Sequence, residues 1–441
     1  IGIAKIFLEF IIGIIGAILV FGVLVLVHEA GHFIAARFFG VEVEKFSIGF
    51  GPKLFSFTSQ KTEFRVSAIP LGGYLKMKGE NPDEQKSDTD SFHAKKWWQR
   101  AIIAFSGPFA NFIFAILIFI FSFALGKSYE DNLPIIGKSE NAIFQSNDLL
   151  LNVNGNNVES WTQIIKFTNE NEIDNFQIER NGEIIFIETD EISKENWLSD
   201  FLPAVTAKIG EVTPGLPAYK AGLMQNDEIL AVNEITVSDW YEMRNAIGKS
   251  TTEKVILTIK RDAEIFKKTV NLDTNLIDNR KIIGIIQPFS TIIHEKYNLL
   301  EATKFGILTS VNVVATNYAM LFKLIANPQT LKSNIGGPVM IYTISQQYAK
   351  KGVSDTLMFI ATISIILMVM NLLPIPILDG GLIFFCFVEG IRGKILPKNI
   401  QFMLQKIGML LLLFLMIFAF WNDLSRIYFR NSSIKQHETR R

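Results

Sequence analysis

Two histidines four residues apart, with a glutamate beside the first, stand at His28-Glu29-Ala30-Gly31-His32. On a helix, residues i and i+4 share a face, so both imidazoles can reach one zinc ion. Glu29 then sits beside the metal, placed to take a proton from a water held there, as metal-assisted hydrolysis requires. The plain alternative is a satisfied pair of helix-surface histidines next to a solvated carboxylate. It must put three polar groups at the end of an apolar run, and a charge near mid-bilayer costs at least about 2.5–3.5 kcal/mol. Two imidazoles leave zinc short, because catalytic sites usually take three protein ligands and a water. His93, His294 and His437 lie in polar segments. Asp379 is the better third ligand: it is the only acid between Thr356 and Val388. Pro374 and Pro376 before it cannot continue a regular helix, and Gly380-Gly381 after it permit unusual backbone. Its alternative role is a cap at an ordinary kink.

The elements that must carry these groups are apolar. Of 441 residues, 49% are hydrophobic, too many for an ordinary soluble chain of this size. A formal net charge of zero gives no support for nucleic-acid binding. The single cysteine, Cys386, excludes an internal disulfide. Uncharged runs cover Phe10–Val27, Ala101–Gly126, Thr356–Leu378 and Ile407–Asn422. A helix needs about 17–25 apolar residues to cross a bilayer, so four spans are expected. They are residues 5–39 with the histidine pair, 101–126, a broken span over 353–390, and 402–422, followed by a tail over 423–441. The first run leads into His28-Glu29 rather than a small-residue cleavage site, and reads as a retained span.

Residues 40–100 alternate apolar and polar positions around Phe46–Gly51 and Phe64–Tyr74, the pattern of β-hairpins. Their apolar content points to a β-rich loop lying at the membrane. It either accepts an unwound substrate strand at its edge or merely covers the site. Trp97-Trp98 stand where an interfacial aromatic belt is expected. Residues 128–290 contain a repeat. Asn147-Asp-Leu-Leu-Leu-Asn-Val-Asn-Gly155 returns as Asn226-Asp-Glu-Ile-Leu-Ala-Val-Asn-Glu234, each copy followed by Trp and then a strand pair. Two small β/α domains are expected, over 128–196 and 202–275. Apolar residues at helical spacing among Lys304, Lys323 and Lys332 suggest an amphipathic membrane-surface region over 295–335. Lys and Arg crowd the 40–100 loop and the loop after the third span, so the positive-inside rule makes that side cytoplasmic. The basic tail argues the other way.

His28-Glu29-x-x-His32, paired with Asn371-Leu-Leu-Pro374-Ile-Pro-Ile-Leu378-Asp379-Gly380, resembles the site-2 protease family of intramembrane metalloproteases. The closest likeness is to its bacterial regulator-of-sigma-E group with tandem PDZ domains. Ser106-Gly-Pro-Phe-Ala-Asn111 is similar to that family's Gly-Pro-x-x-Asn element, and Pro217–Leu223 before Asn226-Asp227 to the PDZ signature. Both repeats have Asn-Asp where Gly-Asp is commoner. The resemblance implies a polytopic α-helical membrane protein with four transmembrane helices, a membrane-associated β-hairpin region and two inserted PDZ-like domains. It implies Zn2+ held by His28, His32 and Asp379, with Glu29 as general base. Asn371 would hydrogen-bond the substrate backbone near the scissile carbonyl, or else only satisfy backbone groups freed by the prolines. Asn111 would pack or position helices. The implied location is the bacterial inner membrane with the PDZ-like domains periplasmic. The implied substrates are single-pass membrane proteins, either anti-sigma factors or remnant signal peptides. The PDZ-like domains either bind peptide tails or exclude bulky ectodomains.

Other classes fit less well. A transporter leaves Glu29 beside the histidine pair unexplained and lacks an inverted repeat. A scaffold on a dead membrane anchor would be favoured by a missing ligand, yet every candidate is present.

Overall fold

The computed structural model describes residues 2–80, 88–139, 143–170, 174–188, 201–275, 279–327, 336–394 and 396–438. Residues 81–87 of the 40–100 loop and 328–335 of the expected amphipathic region lie outside them. In chain order, α1 (Gly2–Phe38), strands β1 (Val43–Ser59) and β2 (Thr62–Met77), and α2 (Trp97–Leu125) come first. An insert follows, with β3 (Leu149–Val153), β4 (Asn156–Asn157), α3 (Trp161–Glu170), β5 (Asn175–Arg180) and β6 (Glu183–Glu188). It continues with β7 (Glu228–Val232), β8 (Ile235–Thr236), α4 (Trp240–Gly248), β9 (Lys254–Arg261) and β10 (Glu264–Asn271). The chain ends in α5 (Leu299–Ala326), α6 (Pro338–Lys351), α7 (Val353–Asn371), α8 (Asp379–Arg392) and α9 (Lys398–Glu438). These elements fall into two compact units, one built from Ile1–Lys127, Lys296–Asn327 and Gly336–Trp421, the other mainly from Ser128–Glu295.

In the helical unit, α1 runs antiparallel to α2, with His32 against Ile103 and His28 against Asn111. Lipid tails are as apolar as leucine, so helices in a membrane associate by close packing of small residues and by interhelical hydrogen bonds. Gly31 provides the first: a Cβ there would lie 2.3 Å from the Ser106 carbonyl oxygen. Serines provide the second. Ser122 Oγ lies 2.8 Å from Ser354 Oγ, and Ser364 Oγ donates to the Asn111 carbonyl at 2.8 Å, which lays α7 antiparallel along α2. Ala115, Phe119, Ala302, Ala361 and Ile365 form the buried core among α2, α5 and α7.

By length and composition, five helices among the described residues are apolar enough to cross a membrane: Val20–Phe38, Trp97–Leu125, Leu299–Ala326, Val353–Asn371 and Lys398–Ser425. Four of these overlap the expected spans. The fifth, α5, falls where a surface-lying amphipathic region is expected, so the described residues hold five span-capable helices rather than four. Tyr297, just before α5, packs on Phe123, and Ser354, opening α7, bonds Ser122. Both residues therefore meet the same end of α2.

Strands β1 and β2 join through Gln60 and Lys61, both with positive φ. Their register places residues 45–48 opposite both 63–66 and 73–77, while 53–59 pairs with 62–67. The pair is thus folded over itself, with 73–77 as an outer rung. Phe50, Leu54, Phe55, Phe57 and Ile69 remain exposed, an apolar surface that water does not favour.

In the second unit, the sheets β4-β3-β5-β6 and β8-β7-β9-β10 repeat one antiparallel order. Asn147 and Asn226 adopt φ of 74° and 70°. Asparagine tolerates that left-handed region, which accounts for its standing where glycine is commoner. Asp148 and Asp227 are fully buried and receive Arg180 and Arg261 from the third strand of each repeat, at 2.6–2.8 Å.

Candidate metal centre

Two chain segments bring the sequence-predicted ligands together. His28 and His32 lie one turn apart on α1, and Asp379 is the first residue of α8. His28 Nε2 is 3.1 Å from Asp379 Oδ2, His32 Nε2 is 3.4 Å from Asp379 Oδ1, and the two Nε2 atoms are 3.2 Å apart. A tetrahedral ion with ligand bonds of about 2.0–2.1 Å separates its donors by about 3.3 Å. Two imidazole nitrogens and a carboxylate oxygen at this mutual spacing, with both histidines buried, fit zinc in kind and in size.

The local folding that places Asp379 follows from its neighbours. Proline at 374 and 376 ends α7, and the chain turns back so that α8 begins against the stretch it has just left. A Cβ on Gly380 would lie 2.3 Å from the Leu372 and Leu373 carbonyl oxygens, and one on Gly381 would lie 2.2 Å from that of Ile375. Only glycine permits that return.

α2 and β2 complete the surround. Pro108 lies inside α2, where a proline removes the backbone bond to the Ala104 carbonyl. His32 Nδ1 donates to the neighbouring Ile103 carbonyl at 2.7 Å, which leaves Nε2 free to face Asp379. Gly107 makes room for the ring, since a Cβ there would lie 2.3 Å from His32 Nε2. Strand β2 passes Glu29 at Gly73, where a Cβ would lie 3.7 Å from Glu29 Cγ. A cavity of about 180 Å³ opens here, lined by His28, Glu29, His32, Tyr74, Glu80 and Asp379 among others, roomy enough for water. A larger groove of about 750 Å³ between α1 and α2 has no titratable side chain in its lining.

Asn371 closes α7 and lies outside the residues lining this cavity. His93, set aside as a ligand, sits beside Arg100 at 3.3 Å, and burial together with that cation holds its imidazole below the usual range. Arg100 itself pairs with Glu389 at the far end of α8. Glu80 is a residue that sequence reasoning missed. Its Oε2 accepts from the Met77 N–H at 3.1 Å, and burial pushes its carboxyl up. Only the close return of β2 to α1 brings it to the cavity, and no local pattern of residue type marks it.

Residues 16–415 match the model of peptidase family M50. The chain belongs to that family. A regulator of sigma E protease of Haemophilus influenzae is 32% identical over 441 aligned residues, covering 93% of this chain and 98% of the relative. The protease RseP of Yersinia pestis is 30% identical, and the regulator of sigma-W protease RasP of Bacillus subtilis 29%, over similar shares of both chains. Other relatives carry the words zinc metalloprotease in their names. As an M50 peptidase of the site-2 protease type, this chain is a zinc metalloprotease.

Proposed function

We propose that this M50 peptidase hydrolyses peptide bonds within transmembrane segments of single-pass membrane proteins. The observation that carries the proposal is the convergence of His28, Glu29 and His32, on a helix apolar enough to cross a membrane, with Asp379 at the start of α8. His28, His32 and Asp379 would hold the zinc, and the carboxylate would offset part of its charge. Zinc, when bound, supplies a Lewis acid that makes water nucleophilic near neutral pH and polarises a carbonyl. Glu29 takes a proton from the attacking water and returns it to the departing amine nitrogen as the C–N bond breaks. Asn371 donates from its side-chain amide to the carbonyl oxygen as charge develops there.

A transmembrane helix hides its carbonyls in internal hydrogen bonds and must unwind before it can be cut. The outer rung 73–77 borders the cavity through Tyr74 and Leu75 and offers an edge for the unwound strand. The two β/α repeats are PDZ-like domains on the periplasmic side of a bacterial inner membrane, where they bind substrate tails or screen out bulky ectodomains. The names of the sigma E and sigma-W regulators support anti-sigma factors as substrates, with remnant signal peptides as the second class.

The test is cleavage of a single-pass substrate by detergent-purified protein, wild type beside Glu29→Gln, with zinc measured in both. Cleavage inside the transmembrane segment by wild type alone, at equal zinc, is the expected result. Cleavage by both would remove Glu29 from its role, and cleavage only outside the segment would end the intramembrane reading.

A further inference from the structure

The structure assigns to Asn111 the positioning of His28, as the acceptor that fixes the metal-binding form of its imidazole. This inference rests on the ligand reading of His28 given above. A histidine that binds a metal through Nε2 carries its proton on Nδ1, and that N–H needs an acceptor to set the tautomer and hold the ring. For His32 the acceptor is the Ile103 carbonyl. For His28 the facing group is the Asn111 side chain, whose Nδ2 lies 3.5 Å from His28 Nδ1.

In that orientation two nitrogens face one another, which suits a His28 protonated on Nε2 and thus turned away from metal binding. The same orientation strands the other end of the amide: Asn111 is 1% exposed, and its Oδ1 is buried without a hydrogen-bond partner. Side-chain amides have nearly identical ends, and the hydrogen-bond network decides which is which. Turning the amide by half a turn places Oδ1 toward His28 Nδ1–H, so the orphaned acceptor gains a donor and Nε2 is freed for zinc.

The residue is anchored for this task. Its backbone carbonyl accepts from Ser364 Oγ of α7 at 2.8 Å, and Pro108 and Gly107 on the same helix shape the contact to His32. Both ligating imidazoles therefore take their outer acceptors from α2, one from its backbone and one from a side chain.

The experiment measures zinc affinity of the full-length protein in detergent by competition with a chromophoric chelator, for wild type, Asn111→Leu and Asn111→Asp. Leucine keeps the volume and removes the acceptor; aspartate keeps an acceptor for the same N–H. Losing such an outer partner typically costs about 10–100-fold in affinity, the expected effect for Asn111→Leu, whereas Asn111→Asp should stay within about threefold of wild type. A residue that only packs helices predicts the reverse order, because a buried charge harms packing more than leucine does. Thermal melts of the metal-free proteins separate loss of fold from loss of affinity, and Asn111→Ala replaces the leucine variant if that one does not purify. Wild-type zinc affinity in the leucine or alanine variant, or an aspartate variant as weak as these, overturns the inference. Failure of wild type to bind zinc would instead bring down the ligand reading, and this inference with it.

Discussion

Gly107 of α2 stands in van der Waals contact with the His32 ring, so close that a Cβ would lie 2.3 Å from Nε2. A glycine in mid-helix costs roughly 0.5–1 kcal/mol relative to alanine, so its presence there needs a reason, and the ring supplies it. Gly107→Ala should leave the helices intact but push His32 from Asp379. Cleavage should fall by about 100-fold, the scale expected for a displacement near 1 Å, together with a loss of bound zinc. Full zinc content and wild-type cleavage in the alanine variant would show that the ring moves freely.

Gly380 makes a comparable demand on the backbone. Alanine there meets two carbonyl oxygens at 2.3 Å, neither of them a flexible side-chain end. Gly380→Ala should destabilise the protein by about 1–3 kcal/mol and swing Asp379 away from the histidines. The readouts are a lower melting temperature and weaker zinc binding, which Ala substitution at Gly16, where nothing lies within 4 Å, should not produce.

Asp379→Ala should weaken zinc binding as well as abolish cleavage, whereas Glu29→Gln should lose cleavage alone. The contrast separates a ligand from a base. Metal retained in full by the Asp379 variant would remove it from the ligand set.

The buried Asp227–Arg261 pair holds the second repeat together. Asp227 is fully buried and also accepts from the Met224 N–H at 2.9 Å. Asp227→Ala leaves Arg261 without its partner, and breaking a buried pair from one side typically costs about 3–5 kcal/mol. A thermal scan of the full chain should show this domain melting early while zinc binding by the membrane unit persists.

Between the repeats, Lys138 bonds Glu242 at 2.7 Å and Asp239 at 3.0 Å. Lys138 beside Glu242 holds its carboxyl at about 2, below the ordinary 4.5. A depressed carboxylate contributes stability that is present above 4.5 and lost as pH falls toward 2. The pair is exposed, so the contribution is at most about 1 kcal/mol. The difference in melting temperature between wild type and Lys138→Met should be small at pH 7 and vanish by pH 2–3. A difference that grows on acidification would contradict it.

The histidine pair, the broken span at Asp379, the hairpin segment and the repeat were all legible in the chain, because each is a local pattern of residue type and spacing. What stayed hidden arises through space. Arg180 and Arg261 read as ordinary strand residues until their sheets bring them to Asp148 and Asp227. Glu80 looks solvated until β2 returns to α1. The Ile103 carbonyl that receives His32 Nδ1 carries no sequence signal, because it belongs to an apolar residue of another helix. The fifth span-capable helix escaped because Lys304 and Lys323 broke its apolar run, and snorkelling cations do not shorten a helix.

Because Asp379 opens α8, late in the chain, the ribosome releases both histidines and Glu29 long before their third companion exists. Chains emerge from the N-terminus first, and the whole insert must be made before α8 appears. With the proposed ligand set, the metal site therefore stays incomplete in the nascent chain until synthesis is nearly finished.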